Sequence, residues 1–265
     1  SVASRGLGDV YKRQVFTIAK RDIKSYFASP KGGAILFFFL ILMGSFFQNF
    51  VVSYVEYEQR AAMQGGQAPT LEQLLRAFFY NLNFILVLIV PAVTMASFSE
   101  EKRNSSLRLL QTSPVKAIEI VLGKFVATAG MMGIVLLAAS VYPFYLVLFG
   151  NPDGGVIATS LLGMFLLMCS QLAFGLWVSS MTNNQFMAFL FTMFGLFLLL
   201  VLNWLAPTLS GGGSLETIIK YIASTDHLDS FLKGMISVSH VSYFICFTAL
   251  FIFLTNVSLD SERWR

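Results

Sequence analysis

The chain has 265 residues, of which 56% are hydrophobic and only 12% charged. Soluble domains normally carry about 25% charged residues, so too little polar material is present for a water-facing surface, and the composition points to apolar solvent around the fold. The net charge of +4 is modest and the bases sit beside apolar runs, which fits membrane topology and anionic headgroups rather than nucleic acid.

In chain order, Ser1–Gln14 shows no periodicity and is set apart from the fold, as adapter read-through or a short disordered tail. Residues 15–265 then read as one six-span domain. Phe16, Ala19, Ile23 and Tyr26/Phe27 recur at three- and four-residue spacing, with Lys20, Arg21 and Lys24 on other faces. That pattern fits a helix lying in the membrane interface with its bases on headgroups, or a plain lead-in. Ser29-Pro30 breaks it and turns the chain into the bilayer.

A spanning helix needs about 20 mainly apolar residues. Six stretches qualify: roughly 32–53, 77–98, 125–149, 156–178, 186–206 and 239–258. No Asp, Glu, Lys or Arg lies inside any of them. Runs such as Ala34–Met43 and Phe194–Leu202 do not alternate apolar with polar, as barrel strands must, so the spans are helices. The fold class is all-α integral membrane.

The connections carry their own signals. Residues 54–73 hold Gly65-Gly66 and Pro69, which marks a loop. Thr70-Leu71-Glu72-Gln73 has capping-box spacing and starts a helix into the second span. Pro91 falls late in that span, where a kink is expected. After the fifth span, Gly211-Gly212-Gly213 is a flexible break, followed by two apolar stripes: Leu215, Ile218, Ile219, Ile222, then Leu228, Phe231, Leu232, Met235. Two short amphipathic helices against the outer surface are expected there.

Orientation follows from the bases. Six spans put both termini on one side, with Lys20, Arg21, Lys24, Lys31, Lys102, Arg103, Arg108, Lys116, Lys124, Arg263 and Arg265; the other side has Arg60, Arg76, Lys220 and Lys233. Eleven bases against four place both termini in the cytoplasm by the positive-inside rule.

Catalytic chemistry is not legible. Cys169 and Cys246 both fall within spans, so buried thiols rather than a disulfide are expected. His227 and His240 have no metal-ligand spacing around them, and no metal site is expected. A phosphate-cradling loop requires Gly-x-x-x-x-Gly-Lys-Ser/Thr. The Gly-Lys step at Gly123-Lys124 is followed by Phe125 and has Ile118 where the first glycine belongs, so no such loop is present.

The informative polar segment lies between spans two and three, from Ser99 to Val115. It is dense in charge, yet holds Leu107, Leu109 and Leu110. Ser105 or Ser106 is a suitable cap for a short helix, and Ser113-Pro114 suits the start of the next. A charged, partly apolar helix under the membrane gives a soluble partner something to grip.

The order Glu-Glu-Lys-Arg, Leu-x-Leu-Leu, Thr-Ser-Pro-Val and then Gly123-Lys124 resembles permeases of the ABC-2 type. More narrowly it is similar to the gliding-motility-associated group of GldF. Lys20-Arg21-Asp22 through Ser29-Pro30, Tyr221 through His227, Phe231 through Gly234, and Arg263-Trp264-Arg265 match that group in order. The resemblance implies the membrane half of a bacterial inner-membrane ABC exporter. Two permease chains, identical or not, would pair. Separate ATP-binding subunits would hold ATP and Mg, and this chain would bind no cofactor and catalyse nothing. The loop after span two would be the coupling helix, with Glu100, Glu101, Leu107, Leu110 and Pro114 as its partner contacts. Lipid is the remaining partner. Relatives usually carry Gly-Thr-Leu-Glu where this chain has Ser105-Ser106-Leu107-Arg108; with base in place of acid, the resemblance implies a different matching surface on the partner there. Two rivals stand beside this reading: a non-transporting anchor for a larger machine, and an ion-coupled secondary transporter, which normally has ionisable groups within the membrane.

Overall fold

A proline at the first helical position has its φ already set and gives up only a hydrogen bond the helix end would not make. Helix α1 accordingly begins at the breaker, running Pro30–Gln64. A computed structural model describes residues 20, 21, 24, 30–64, 70–104, 116–150, 153–210 and 221–263. The described part is all-helical. After α1 come α2 (Leu71–Arg103), α3 (Ala117–Ala139), α4 (Val141–Gly150), α5 (Gly154–Met181), α6 (Gln185–Ser210), α7 (Ser224–Leu232) and α8 (Val238–Arg263). Six elements are long and apolar enough to cross a membrane: α1, α2, α3 with α4, α5, α6 and α8.

Two details depart from expectation, and a third is met in part. The expected loop over 54–73 is helical up to Gln64. Nothing between Val51 and Gln64 breaks a helix, and the Arg60–Glu56 pair at 3.4 Å supports it at i,i+4 spacing. At 35 residues, α1 is about 52 Å long at 1.5 Å per residue, well beyond the bilayer's hydrocarbon core. The third crossing begins at Ala117 rather than 125, so Glu119 and Lys124 lie on its helix and are buried. Of the two stripes after α6, the second forms α7, with Leu228, Phe231 and Leu232 in the core and Met235 exposed. In the first stripe Ile222 is exposed, and the remainder, like residues 1–19, lies outside the described residues.

The capping box forms as read. The Gln73 N–H donates to Thr70 Oγ1 at 3.4 Å, and the Thr70 N–H donates to Gln73 Oε1 at 3.2 Å. At the start of α5, Asp153 Oδ1 accepts the Gly155 N–H at 2.8 Å, using one of the helix's orphan donors.

Helix α5 is the centre of the bundle and packs against α2, α3, α6, α7 and α8, while α1 lies on α2 and α3. Lipid tails are as apolar as leucine, so burial from water does not drive helices together within the bilayer; close packing and small side chains do. Helix α5 supplies the small residues, with Ser160, Gly163, Ser170, Ala173, Gly175, Ser179 and Ser180 all buried. A Cβ at Gly175 would sit 2.3 Å from Thr94 Oγ1, and one at Gly163 would sit 2.6 Å from Phe231 Cβ. These two approaches fit α2 and α7 onto α5. Midway, Gln171 Nε2 donates to Asn83 Oδ1 at 3.0 Å between two buried side chains. The outward faces are different in kind: Phe37 and Phe38 on α1, Phe186, Phe191 and Phe194 on α6, and Phe253 on α8 are exposed.

Candidate functional site

The ionisable side chains near the segment between α2 and α3 converge at one end of the bundle, here called the basic end. Helix α2 finishes there in Glu100-Glu101-Lys102-Arg103, with the Asn104 N–H closing the last turn on the Glu100 carbonyl at 3.0 Å. Two bases in a last turn suit the negative end of the helix dipole. Helix α3 starts after Lys116, whose backbone N–H donates to Glu119 Oε2 at 3.2 Å. A lysine side chain has no acceptor to offer in return, so this is half of a capping box.

The two helix ends are tied together. Lys124 Nζ meets Glu101 Oε1 at 2.7 Å, with the two side chains 6% and 20% exposed. The same ammonium lies 5.2 Å from the centroid of the Phe98 ring, within cation–π range. A charge this far from water persists only when paired and hydrogen-bonded, and Glu101 provides the pairing. Beneath the ion pair, Phe98, Ile120, Val121, Leu176 and Leu259 form a small apolar cluster drawn from α2, α3, α5 and α8.

The same end is laced to the central helix. Lys102 Nζ donates to the Ser180 carbonyl near the end of α5, and Ser258 Oγ of α8 donates to that oxygen at 3.3 Å. Ser179 Oγ accepts the N–H groups of Phe98 and Ser99 at 3.2 and 3.3 Å and donates to the Met95 carbonyl at 3.1 Å. A hydroxyl on α5 is thus inserted into the final turns of α2. Through these contacts the ends of α2, α3, α5 and α8 form one connected unit.

Of the residues expected to contact a partner, Glu100 and Glu101 are placed, both part-buried, and Glu101 is directed inward to Lys124. Leu107, Leu110 and Pro114 lie outside the described residues. Lys20, Arg21 and Lys24 are exposed on helical backbone. Reading the chain by spans treats Lys124 as a flanking base and so overlooks its role as the counter-ion of Glu101. Its signal is the helical phase, since Ile120, Val121, Ala127 and Thr128, with which it shares a face, are all buried. Among the described residues no group of three or more His, Cys, Asp or Glu is placed to hold a metal ion.

Comparison with known proteins adds to the geometry. A family described as ABC-2 family transporter protein matches residues 16–259. The chain is also similar to the probable multidrug ABC transporter permease YbhR of Escherichia coli strain K12, and equally to that of strain O157:H7. Each is 24% identical over 228 residues, covering 80% of this chain and 56% of the relative. The chain therefore spans little more than half the length of these relatives.

Proposed function

The chain belongs to the ABC-2 family of transporter proteins, and from that premise we propose that it is the membrane-spanning permease subunit of an ATP-driven exporter in a bacterial cytoplasmic membrane. In this reading the basic end faces the cytoplasm. Two permease chains pair, and a separate ATP-binding subunit supplies hydrolysis. The only Gly-Lys step fits that division of labour, because Lys124 is helical and engaged with Glu101 rather than poised in a phosphate-cradling loop.

The observation that carries the proposal is the lacing at the basic end. Segment 105–115 leaves α2 and enters α3 at two roots joined by Glu101–Lys124 and tied to α5 through Lys102 and Ser179. A partner gripping that segment pulls on spanning helices and not on a free loop. A partner drives a conformational change only by binding the two states differently, and a rigid root transmits that difference. Leu107 and Leu110 are assigned as the apolar anchor, Pro114 as the start of the return, and Glu100 as the acidic contact nearest the partner.

The test is to recover the complex from its native host through a tag on this chain and to measure ATP hydrolysis in proteoliposomes. Burying two leucines is worth about 3–6 kcal/mol, so Leu107→Asp with Leu110→Asp should cost orders of magnitude in partner affinity while membrane insertion stays normal. A double variant that retains the ATP-binding subunit and its normal turnover overturns the coupling role. A complex that hydrolyses ATP and moves nothing is instead the anchor.

We place the chain further with the gliding-motility group on the strength of the motifs running from Lys20 to Arg265. The relatives matched above carry a multidrug name instead. Loss of colony spreading on deletion of the gene, without increased drug sensitivity, supports the narrower placement, and the reverse result removes it.

A further inference from the structure

At the end opposite the basic end, two histidines that share no sequence motif meet. His227 of α7 and His240 of α8 place their Nδ1 atoms 2.7 Å apart. The far nitrogen of each ring is also engaged: His227 Nε2 lies 3.0 Å from the Tyr221 carbonyl oxygen, and His240 Nε2 lies 2.9 Å from Ser230 Oγ. The Tyr243 ring stacks on His227 at 3.9 Å and 11°, and its hydroxyl donates to the Ile222 carbonyl at 2.7 Å. The pair thus closes the 221–222 turn, α7 and the start of α8 on one another.

Proton counting limits what the pair can hold. A carbonyl oxygen only accepts, so His227 Nε2 must carry a hydrogen. With both rings neutral, His227 Nδ1 then accepts from His240 Nδ1–H, and His240 Nε2 accepts from the Ser230 hydroxyl. One added proton fits at His240 Nε2, with the serine hydroxyl turning to accept it. A second has only His227 Nδ1 left, where two N–H groups would point at each other across 2.7 Å. The doubly charged pair cannot keep this contact.

We propose that His227 and His240 form a pH-sensitive clasp that holds α7 against the bundle when at least one ring is neutral and releases it when both are charged. Helix α7 is otherwise held by its apolar face, with Leu228 and Phe231 fully buried, and by hydrogen bonds from Thr159 and Tyr80, so release loosens a docked helix and leaves the spans intact.

The surroundings favour the neutral ring. Burial lowers the His227 pKa; the hydrogen bond to Tyr221 opposes this, the His240 charge adds to it, and Asp226 opposes it. Asp229, on the same helix, is engaged by Tyr80 of α2 and by Lys233, with Arg76 of α2 nearby. From α8 and the preceding turn the facing groups are Tyr243 and Tyr221. Helices α5 and α6, also packed on α7, contain no Asp, Glu, Lys, Arg or His. A ring that protonates less readily in place than when released makes acid favour release. The change starts as pH falls below the ordinary histidine value of about 6.5. Asp229 does not imitate it: burial pushes its carboxyl up, but hydrogen bonds from Lys233 and Tyr80 outweigh that and hold it below the usual range.

The experiment is hydrogen exchange on the purified chain in lipid nanodiscs from about pH 7.5 to about 3, which covers the histidine and carboxylate ranges, corrected for intrinsic exchange, with α5 amides as the internal reference. Release that takes up one proton lowers protection by at most about tenfold per pH unit, so protection across residues 221–240 should fall about tenfold over the titration while α5 stays protected. His240→Asn keeps an amide donor near the Nδ1 position and cannot charge; His227→Gln keeps one near Nε2. Either should abolish the acid step and retain protection at neutral pH. Three results overturn the clasp: no acid step in the wild-type chain, an equal step in a folded variant, or loss of α5 protection in parallel. If neither variant folds, the wild-type titration decides alone, and a step centred below about pH 4, in the carboxylate range, overturns it.

Discussion

The two ends of α5 use the same device to bring a neighbour close and different chemistry to keep it there. At the basic end Gly175 lets α2 approach until Thr94 would touch a β-carbon, and at the other end Gly163 does the same for Phe231 of α7. Beyond Gly175 the contact is secured by ions and hydroxyls: Ser179 inserted at Met95–Ser99, Lys102 on the Ser180 carbonyl, and Lys124 on Glu101. Beyond Gly163 it is secured by Thr159 donating to the Phe231 carbonyl at 3.0 Å, Tyr80 donating to Asp229, and the imidazole pair. The basic end joins spanning helices to one another, so any displacement there is shared by the bundle. The other end docks a nine-residue helix, and what happens there remains local.

Substituting the two glycines breaks the comparison most forcefully. Leucine at 175 meets Thr94 Cβ at 2.9 Å as well as its hydroxyl at 2.3 Å, and both helices are held on several sides. Overpacking costs about 1–3 kcal/mol and occasionally more; Gly175→Leu is expected at or above the top of that range, with loss of monodisperse protein in detergent. Gly163→Leu meets Phe231 on a short helix that is free to shift. It should cost about 2 kcal/mol and appear as faster exchange in α7 with an intact bundle. Equal damage from both substitutions would mean that α7 is as integral as the spans.

The ion pair gives the next largest effect. Removing one partner of a buried pair typically costs about 3–5 kcal/mol because the other charge is left without compensation. Glu101→Ala removes the carboxylate 2.7 Å from Lys124, which is the more buried of the two, so a loss of about 3 kcal/mol is expected, the low end of that range because the site is partly exposed. Glu101→Leu with Lys124→Leu removes both charges and should recover most of that in thermal unfolding. A double variant as unstable as the single one would mean that the pair is not the tie between the α2 and α3 roots.

Much of this organisation is legible in the chain because membrane solvent imposes simple rules. The six crossings follow from apolar length, the start of α1 from Pro30, and the start of α2 from Thr70 and Gln73. The contacts that define the two ends are not legible, since they depend on which helix faces which. Glu101 and Lys124 are 23 residues apart, and Tyr80 and Asp229 are 149 apart. Nothing in either neighbourhood names its partner. Histidine spacing is equally silent, because His227 and His240 meet only after α7 turns back onto α8 through Gly234, whose φ of +80° suits a residue without a side chain. What does distinguish α5 as the central helix is its run of small residues where α6 has phenylalanines. That contrast is visible in sequence, although its meaning depends on helices having lipid or one another as neighbours.

The smallest expected effect sharpens the comparison at the opposite end. Tyr80→Phe removes a hydroxyl that donates to Asp229 Oδ1 at 2.7 Å and leaves the Lys233 contact in place, so the loss at neutral pH should be about 1 kcal/mol. Its pH dependence carries the information. In the folded chain, burial raises the Asp229 pKa but hydrogen bonds from Lys233 and Tyr80 bring it below the ordinary value. The unfolded chain therefore takes up the proton first as pH falls. The stabilisation is complete above the ordinary carboxylate value of about 3.9 and is lost as pH drops through it towards the folded value. Without the Tyr80 hydroxyl the folded value moves back up, so the variant has less to lose on acidification. Thermal unfolding of the two proteins should thus differ most near pH 7 and converge below about pH 4. A gap that persists undiminished in acid would mean that Tyr80 steadies α7 by packing alone, and that Asp229 is not the charge through which α2 holds it.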